Sequence, residues 1–270
     1  MNCVKINHLH QAKSFDEVLK IVKESQNHAV IGGGAWLKRL PRKIDKAILL
    51  DQLALDYIKE HDAYIAVGSM TTLQSVVDAR CLQEIGSGLL SNATAQVMGV
   101  ALRNIATIGG SVVGRYGFSD IIPPLLALDA KLIFHELGEI TLEKYLQQKG
   151  KTSDLLLEVQ IPKKNKIGYF KKVSNTSLDF SILNITISKQ DQNICIIIGA
   201  RPGGAAFARE AMQYLSQVDQ LTKTHLKKAT QLVLDEVAFA SNTAASQQYR
   251  ETLAKVYVQR GLKEVYQNES

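Results

Sequence analysis

Apolar and polar positions along the first part of the chain follow the periods of both strands and helices. Val4 to Leu9 alternates, as a half-buried strand does, and Ser14 to Glu17 then begins a helix as a capping box. Helices are also expected from Thr71, from Asn92 to about Arg103, and after a cap at Ser119 or Asp120. Further apolar runs predict strands at Ala29–Ile31, Ala47–Leu50, Ala63–Val67, Lys131–Leu137, Ile140–Leu142 and Leu155–Ile161.

The pattern changes near Pro162–Gly168, a basic segment that is typical of a solvated loop. We place a domain boundary there, which gives one domain over residues 1–162 and a second over 163–270. Three apolar runs separated by short turns then predict an antiparallel meander: Tyr169–Val173, Phe180–Ser188 and Ile194–Gly199. The remainder predicts three helices: about Ala205–Leu215, Lys223–Val237 and Ser246–Tyr266.

Composition places the chain among soluble globular proteins, with 46% apolar and 21% charged residues in 270. No apolar run approaches the roughly 20 residues of a membrane span, and the N-terminus lacks a secretory core, so we expect a cytoplasmic protein without a membrane segment. Cys3, Cys81 and Cys195 are scattered without a C-x-x-C motif. We therefore expect neither a zinc site nor an iron–sulfur cluster in this chain.

The net charge of +6 raises the question of nucleic-acid binding. The cations are spread thinly, however, and no basic–aromatic repeat accompanies them, so nucleic acid is not expected as a partner. A mild positive field instead favours an anionic cofactor or an acidic partner subunit.

Two glycine turns far apart in sequence carry the strongest functional signal. The first is His28–Trp36, HAVIGGGAW, and the second is Leu102–Ser111, LRNIATIGGS. Neither is a G-x-G-x-x-G fingerprint or a P-loop. Backbone N–H groups at both turns, with Gly109 and Gly110 bare, could grip a diphosphate from two sides, which indicates a dinucleotide cofactor.

The second turn and the segment after it resemble a known family. Residues 102–111, continued by SDIIPPLLALDA at 119–130, are similar to the I-R-N-x-A-T-I-G-G-N and D-x-x-P-x-L-L-A-L-D-A patterns of the FAD-binding subunit of molybdenum hydroxylases. That family includes the flavin subunits of xanthine dehydrogenase and carbon monoxide dehydrogenase. YFKKVS at 169–174 and ASQQYR at 245–250 resemble its F-x-K-V-S-R-R and S-x-x-Y-R segments.

The resemblance implies an α+β fold: a vanillyl-alcohol-oxidase-type FAD-binding domain of two α+β subdomains, plus an α+β C-terminal domain with a three-stranded antiparallel sheet and helices. By similarity, Asp120 would meet the adenosine half of FAD and Lys172 would lie close to the flavin ring, where a cation stabilises reduced flavin. The remaining cofactor-binding residues implied by similarity flank the diphosphate: Ile31, Gly32, Gly33, Gly34, Ala35 and Trp36 on one side, and Thr107, Gly109, Gly110 and Ser111 on the other.

The chain departs from the family pattern at three places. Gly34-Ala35-Trp36 replaces a Thr/Ser-Asp-Leu pattern, Ser111 stands where Asn is usual, and Asn175-Thr176 replaces an arginine pair. Backbone contacts survive these changes, so FAD is still expected to bind, without a covalent link.

No residue pattern supplies a nucleophile, a general base or a metal site, so no catalytic residue is predicted. The favoured hypothesis is an electron-transfer subunit of a xanthine dehydrogenase-like molybdenum hydroxylase, an oxidoreductase in which a molybdenum-cofactor subunit and a [2Fe–2S] subunit pass electrons through FAD to NAD or another acceptor. The alternatives are a stand-alone flavin oxidoreductase of the same fold, and a scaffold subunit that has lost FAD.

Overall fold

The computed structural model describes residues 4–37, 42–148, 150 and 153–267. Its strands are β1 Lys5–Gln11, β2 His28–Ile31, β3 Lys43–Leu49, β4 Ile58–Glu60, β5 Tyr64–Gly68, β6 Lys131–Phe134, β7 Gly138–Thr141, β8 Leu156–Pro162, β9 Ile167–Val173, β10 Leu183–Gln190, β11 Asn193–Gly199 and β12 Ala206–Phe207. Its α-helices are α1 Phe15–Glu24, α2 Leu73–Asp78, α3 Arg80–Glu84, α4 Leu89–Ala95, α5 Val100–Arg103, α6 Ile108–Val113, α7 Ile122–Ala127, α8 Leu142–Gln147, α9 Arg209–Leu215, α10 Lys223–Glu236 and α11 Gln247–Gln267.

The chain forms two compact units, each built from several segments. The first unit comprises Met1–Val76, Val100–Gly114 and Ala130–Pro162. The second comprises Val77–Gly99, Arg115–Asp129 and Lys163–Ser270. Segments from the first 162 residues therefore contribute to both units.

The first unit contains two sheets. Strands β1, β3 and β2 form a three-stranded parallel sheet in the order β1-β3-β2. Strands β4 to β8 form a five-stranded antiparallel sheet in the order β4-β5-β8-β6-β7. Helix α1 buries Val18, Leu19 and Ile21 in an apolar cluster that also contains Ile48 of β3. Burial of this apolar stripe fixes the helix on its sheet.

Helix α1 begins as its sequence predicts, with one difference in the cap. The Ser14 hydroxyl accepts a hydrogen bond from the Glu17 amide at 3.2 Å. The Glu17 carboxylate, however, accepts from the Lys13 amide at 2.7 Å and lies 2.8 Å from Nε2 of His10. The predicted reciprocal bond to the cap residue is therefore replaced by contacts with the segment that ends β1.

The second unit contains the predicted meander. Strand β10 pairs antiparallel with β9 and with β11, and β12 extends the sheet to four strands in the order β12-β11-β10-β9. The expected sheet had three strands, because Ala206–Phe207 was assigned to the following helix; that helix begins only at Arg209. Apolar side chains of β10 and β11 pack with α9, α10 and α11 in one core.

The predicted helix from Asn92 to Arg103 is wrong, because the structure breaks it into α4 and α5. The break includes Met98, whose φ of +42° lies in the left-handed region. A residue in that conformation interrupts the run of helical dihedral angles. Among the described residues, none of the helices is both long and apolar enough to cross a bilayer.

Arg250 fastens the start of α11 inside the second unit. Its side chain is 1% exposed and donates from Nε to the carbonyl oxygen of Ile182 at 2.9 Å. Nη1 donates to the carbonyl oxygens of Ala240 and Ala245 at 2.7 and 2.6 Å, and Nη2 donates to Oδ1 of Asn242 at 2.7 Å. One guanidinium thus satisfies an acceptor directly before β10 and three acceptors in the segment that precedes α11.

The basic segment at the predicted domain boundary is an ion-pair network rather than a freely solvated loop. Lys164 and Lys166 lie 2.7 and 2.8 Å from Oδ2 of Asp129, and Lys166 also donates to the carbonyl oxygen of Ala127 at 2.8 Å. Burial acts to raise the pKa of Asp129, but the hydrogen bonds and charges of the two lysines outweigh it and lower that pKa below its ordinary value of 3.8.

This network predicts a pH-dependent effect of Asp129→Asn. A carboxyl with a lowered folded-state pKa contributes stability above its unfolded pKa, and that contribution is lost as pH falls through the folded value. We expect the variant to lower the urea midpoint at neutral pH and to match wild type at pH values well below 3.8. Asp62→Asn, at an exposed carboxylate, is the control. An equal deficit at both pH values would contradict the ion-pair origin.

Candidate functional site

The two glycine turns lie against each other in the first unit. A Cβ built on Gly33 would stand 1.2 Å from the carbonyl oxygen of Ile105, and one on Gly32 would stand 2.8 Å from Oγ1 of Thr107. Only glycine allows this approach of backbone to backbone. The expected convergence of the two turns is therefore present.

The second turn is tied to a neighbouring segment by backbone hydrogen bonds. Thr107 forms an antiparallel bridge with Thr72, and the Ile108 amide donates to the carbonyl oxygen of Thr71 at 3.0 Å. The Gly109 amide donates to the carbonyl oxygen of Ser69 at 2.9 Å, and a Cβ on Gly109 would stand 2.6 Å from the same oxygen. Ser69 and Thr71 act through backbone carbonyls, which no sequence motif identifies.

The expectation of bare amides at the second turn is wrong. Besides the Gly109 amide, the Gly110 amide donates to Oγ1 of Thr107 at 3.1 Å. The amide and the hydroxyl of Ser111 both donate to the carbonyl oxygen of Thr107, at 3.0 and 2.9 Å. The reason is that Thr107 caps α6, so the amides that follow it are engaged by the cap and by the helix.

The first turn retains free donors. Within the residues that the structure describes, the amides of Gly32, Gly33, Gly34 and Ala35 donate to no acceptor. Gly34 has a φ of +66°, and Ile31 to Trp36 are all half-buried. Successive free amides around a left-handed residue form a concave donor cluster that suits an anion. The residues present thus fit a diphosphate, with most of the donors on one turn and the other turn as its wall.

Gly110 leaves room beside this cluster. It is exposed, and the single atom near a built Cβ is Oγ1 of Thr107 at 3.1 Å. Thr107 and Gly109 are buried, whereas Ser111 is half-buried. The wall therefore presents backbone, with little side-chain bulk, on its outer side.

Asp120 and Lys172 lie together in the second unit. Oδ1 of Asp120 accepts hydrogen bonds from the Ser181 hydroxyl and from Nδ2 of Asn184, the latter at 2.7 Å. Nζ of Lys172 stands 3.5 Å from Oδ2 of Asp120 and donates to the carbonyl oxygen of Gln96 at 2.9 Å. Burial raises the pKa of the Asp120 carboxyl, although the Ser181 hydrogen bond, the Lys172 charge and the Asn184 hydrogen bond each oppose the rise.

Ser119, rather than Asp120, bonds the amides at the start of α7, although the residue directly before this helix is Ile121, which gives no side-chain cap. The Ser119 hydroxyl accepts from the amides of Ile121 and Ile122 at 3.2 and 3.1 Å. Both oxygens of Asp120 instead face protein donors, and its contact with an adenosine stays a prediction. Ser181 and Asn184 were not predicted from the sequence, although polar residues within the apolar run Phe180–Ser188 are a usable signal.

Residues 4–164 match the family described as the FAD binding domain in molybdopterin dehydrogenase, and residues 168–265 match the CO dehydrogenase flavoprotein C-terminal domain. The chain is 29% identical over 191 residues to the uncharacterized protein YgfM of Escherichia coli K12, which covers 70% of this chain and 71% of that protein. It is 24% identical over 274 residues to the glyceraldehyde dehydrogenase medium chain of Sulfolobus acidocaldarius, covering 94% and 96%.

A solved structure shows the same fold. The chain superposes on a chain of carbon monoxide dehydrogenase from Hydrogenophaga pseudoflava with a TM-score of 0.88 and 17% identity, covering 98% of this chain and 99% of that one.

Proposed function

The chain belongs to the family of FAD-binding domains of molybdopterin dehydrogenases, and from that premise we propose that it passes electrons from a [2Fe–2S] partner through FAD to NAD or another acceptor. FAD is the cofactor of this family, and its FAD-binding and C-terminal flavoprotein domains give the chain its α+β fold. The chain is thus the flavoprotein part of an oxidoreductase of the xanthine dehydrogenase and CO dehydrogenase type. The observation that carries the proposal is the contact between two glycine turns, one of which holds four amides without an acceptor among the described residues.

The proposed FAD site assigns different tasks to the two turns. The amides of Gly32 to Ala35 would donate to the diphosphate, with Ile31 and Trp36 at the ends of that turn. The backbone of Thr107, Gly109, Gly110 and Ser111 would form the opposite wall. The resemblance implies that Lys172 would lie close to the flavin ring. Asp120 stands 3.5 Å from Lys172, so in this proposal it belongs to the flavin end rather than to the adenosine half.

The proposed partners are a molybdenum-cofactor subunit and a [2Fe–2S] subunit. The name of the Sulfolobus relative, a medium chain of a dehydrogenase, supports a multi-subunit assembly. The proposed domain division at 162 and 163 is supported by the last segment of the second unit, which begins at Lys163.

FAD, when bound, supplies the redox chemistry, and the residues of this chain bind and orient it. Free amides hold negative charge without carrying a proton that titrates near neutral pH, so the diphosphate contact is insensitive to pH there. Anaerobic reduction of the assembled complex, followed through flavin bleaching, tests the electron path. Protein that is colourless and free of FAD after gentle purification would contradict it.

Gly110→Val tests the wall of the proposed site. We expect the variant to lose FAD with little change in its melting temperature, because the valine side chain would enter the space meant for phosphate while Gly110 itself is exposed. The measurement is the ratio of FAD to protein after gel filtration, together with thermal unfolding. Gly204→Val, at a glycine with open space around it, is the matched control. A wild-type flavin content in Gly110→Val would count against the assignment.

A further inference from the structure

Lys172 does not act as a lone cation in the second unit. Its side chain is 4% exposed and that of Asp120 is 6% exposed, with 3.5 Å between Nζ and Oδ2. Within the described residues, Lys172 is the one charge that acts on Asp120. A buried opposite charge at this distance cancels much of the field of the ammonium, because the pair has no net charge.

The strand register explains why the two charges stay together. Lys172 on β9 lies directly opposite Asn184 on β10. Nδ2 of Asn184 donates to Oδ1 of Asp120 and to the carbonyl oxygen of Ser119, at 2.7 and 3.0 Å. The Ser181 hydroxyl donates to the same Oδ1. Two neutral donors thus hold the carboxylate by Oδ1, and Oδ2 faces the ammonium of Lys172.

The ammonium is fixed in a similar way. Its hydrogen bond to the carbonyl oxygen of Gln96 restrains Nζ from a second direction. Additional hydrogen bonds on both members hold the pair in one geometry, and the Lys172 charge and the donors to Asp120 favour its charged form against the rise in pKa that burial causes.

We propose that Asp120, held by Ser181 and Asn184, balances Lys172, so that the pair rather than an isolated ammonium sets the electrostatic field at the bound flavin. The inference rests on the proposed function, because that function is what brings flavin to Lys172. Ser181 and Asn184 are then positioning residues for the redox balance of the cofactor. The simpler expectation, a positive charge that favours reduced flavin, is replaced by a compensated pair.

The test compares Asp120→Asn, Lys172→Gln and the double variant with wild type, at one neutral pH. Asp120→Asn exposes the ammonium charge and should favour binding of reduced over oxidised FAD by about tenfold, a rise of about 30 mV for a two-electron couple. Lys172→Gln leaves an uncompensated carboxylate and should shift the ratio of the affinities for reduced and oxidised FAD in the opposite direction. The double variant should return to within about threefold of wild type, because both charges are gone.

Thr186→Val is the matched control. Thr186 lies on the same strand as Asn184, is fully buried, and its hydroxyl has no hydrogen-bond partner among the described residues. Removing that hydroxyl changes no charge and should leave the affinity ratio unchanged. Ser181→Ala keeps both charges but removes one donor that holds the Asp120 carboxylate beside the ammonium. With the carboxylate held less firmly, the ratio of the affinities for reduced and oxidised FAD should shift in the same direction as in Asp120→Asn, by a smaller amount.

Unfolding of the FAD-free variants is measured in parallel. Each single charge change leaves one buried charge without its partner and should lower the melting temperature. The double variant removes both charges and should lower it by less than the sum of the two single effects. This cycle reports on the pair without any flavin.

The outcomes separate this inference from the function on which it rests. If Asp120→Asn and Ser181→Ala both show the same ratio of affinities for reduced and oxidised FAD as Thr186→Val, the inference is overturned while the FAD-binding function stands. If Asp120→Asn does not fold, Ser181→Ala alone decides by the same comparison. If wild-type protein binds no FAD, the proposed function fails, and this inference fails with it.

Discussion

Replacing Gly33 with alanine is expected to abolish FAD retention and to destabilise the first unit. The new methyl carbon would stand 1.2 Å from the carbonyl oxygen of Ile105 and 2.4 Å from its carbonyl carbon. These are backbone atoms, so no side-chain rotation relieves the overlap, and the two turns must separate. Overpacking of this kind costs about 3 kcal/mol, which corresponds to about a hundredfold loss of affinity if the bound state requires the turns in contact.

The measurement is the FAD content and dissociation constant of Gly33→Ala, together with its urea midpoint. Gly204→Ala is the control, because a Cβ there meets nothing within 4 Å. Together with Gly110→Val, the variant separates two causes of FAD loss: Gly33→Ala displaces the turns, whereas Gly110→Val fills the space between phosphate and wall. One FAD per chain retained by Gly33→Ala would refute the arrangement of the two turns.

Replacing Arg250 with methionine is expected to lower the free energy of unfolding of the second unit by about 4 kcal/mol. Methionine keeps much of the side-chain volume but none of the donors. The carbonyl oxygens of Ile182, Ala240 and Ala245 would lose the hydrogen bonds that the guanidinium gives them. Because Arg250 is 1% exposed, water cannot replace those bonds without opening the structure.

Chemical unfolding followed by circular dichroism measures the effect. Tyr249→Ala is the control, since Tyr249 is the neighbouring residue of the same helix and is 49% exposed. That variant should unfold close to wild type. If Arg250→Met were as stable as Tyr249→Ala, the side chain would have no role in fastening α11.

Much of the second unit could be predicted from its sequence. The three apolar runs after residue 168 correspond to β9, β10 and β11, because short turns and long apolar stretches leave few pairings other than a meander. The short strand Ala206–Phe207 escaped prediction. A segment of two residues is too short to show an alternating pattern of apolar and polar positions. It is a strand because it pairs with Ile197 and Ile198 of β11.

Local pattern failed where a single residue adopts an unusual conformation. The small residues between Asn92 and Arg103 favour a helix, yet Met98 has a positive φ. Helix propensity describes the average behaviour of a residue type, so it does not reveal a positive φ at one non-glycine position.

The sequence by itself determined the glycine turns, their family pattern and the backbone freedom that lets Gly33 approach Ile105, because only glycine lacks the atom that would collide. Tertiary structure decided which donors remain available. It engaged the amides of the second turn through Thr107 and Ser69, and it placed Asp120 beside Lys172. Within the part of the chain that the structure describes, it left the amides of Gly32 to Ala35 without an acceptor. The physical reason is that hydrogen-bond satisfaction and charge compensation depend on partners contributed by distant segments, which a linear pattern does not specify.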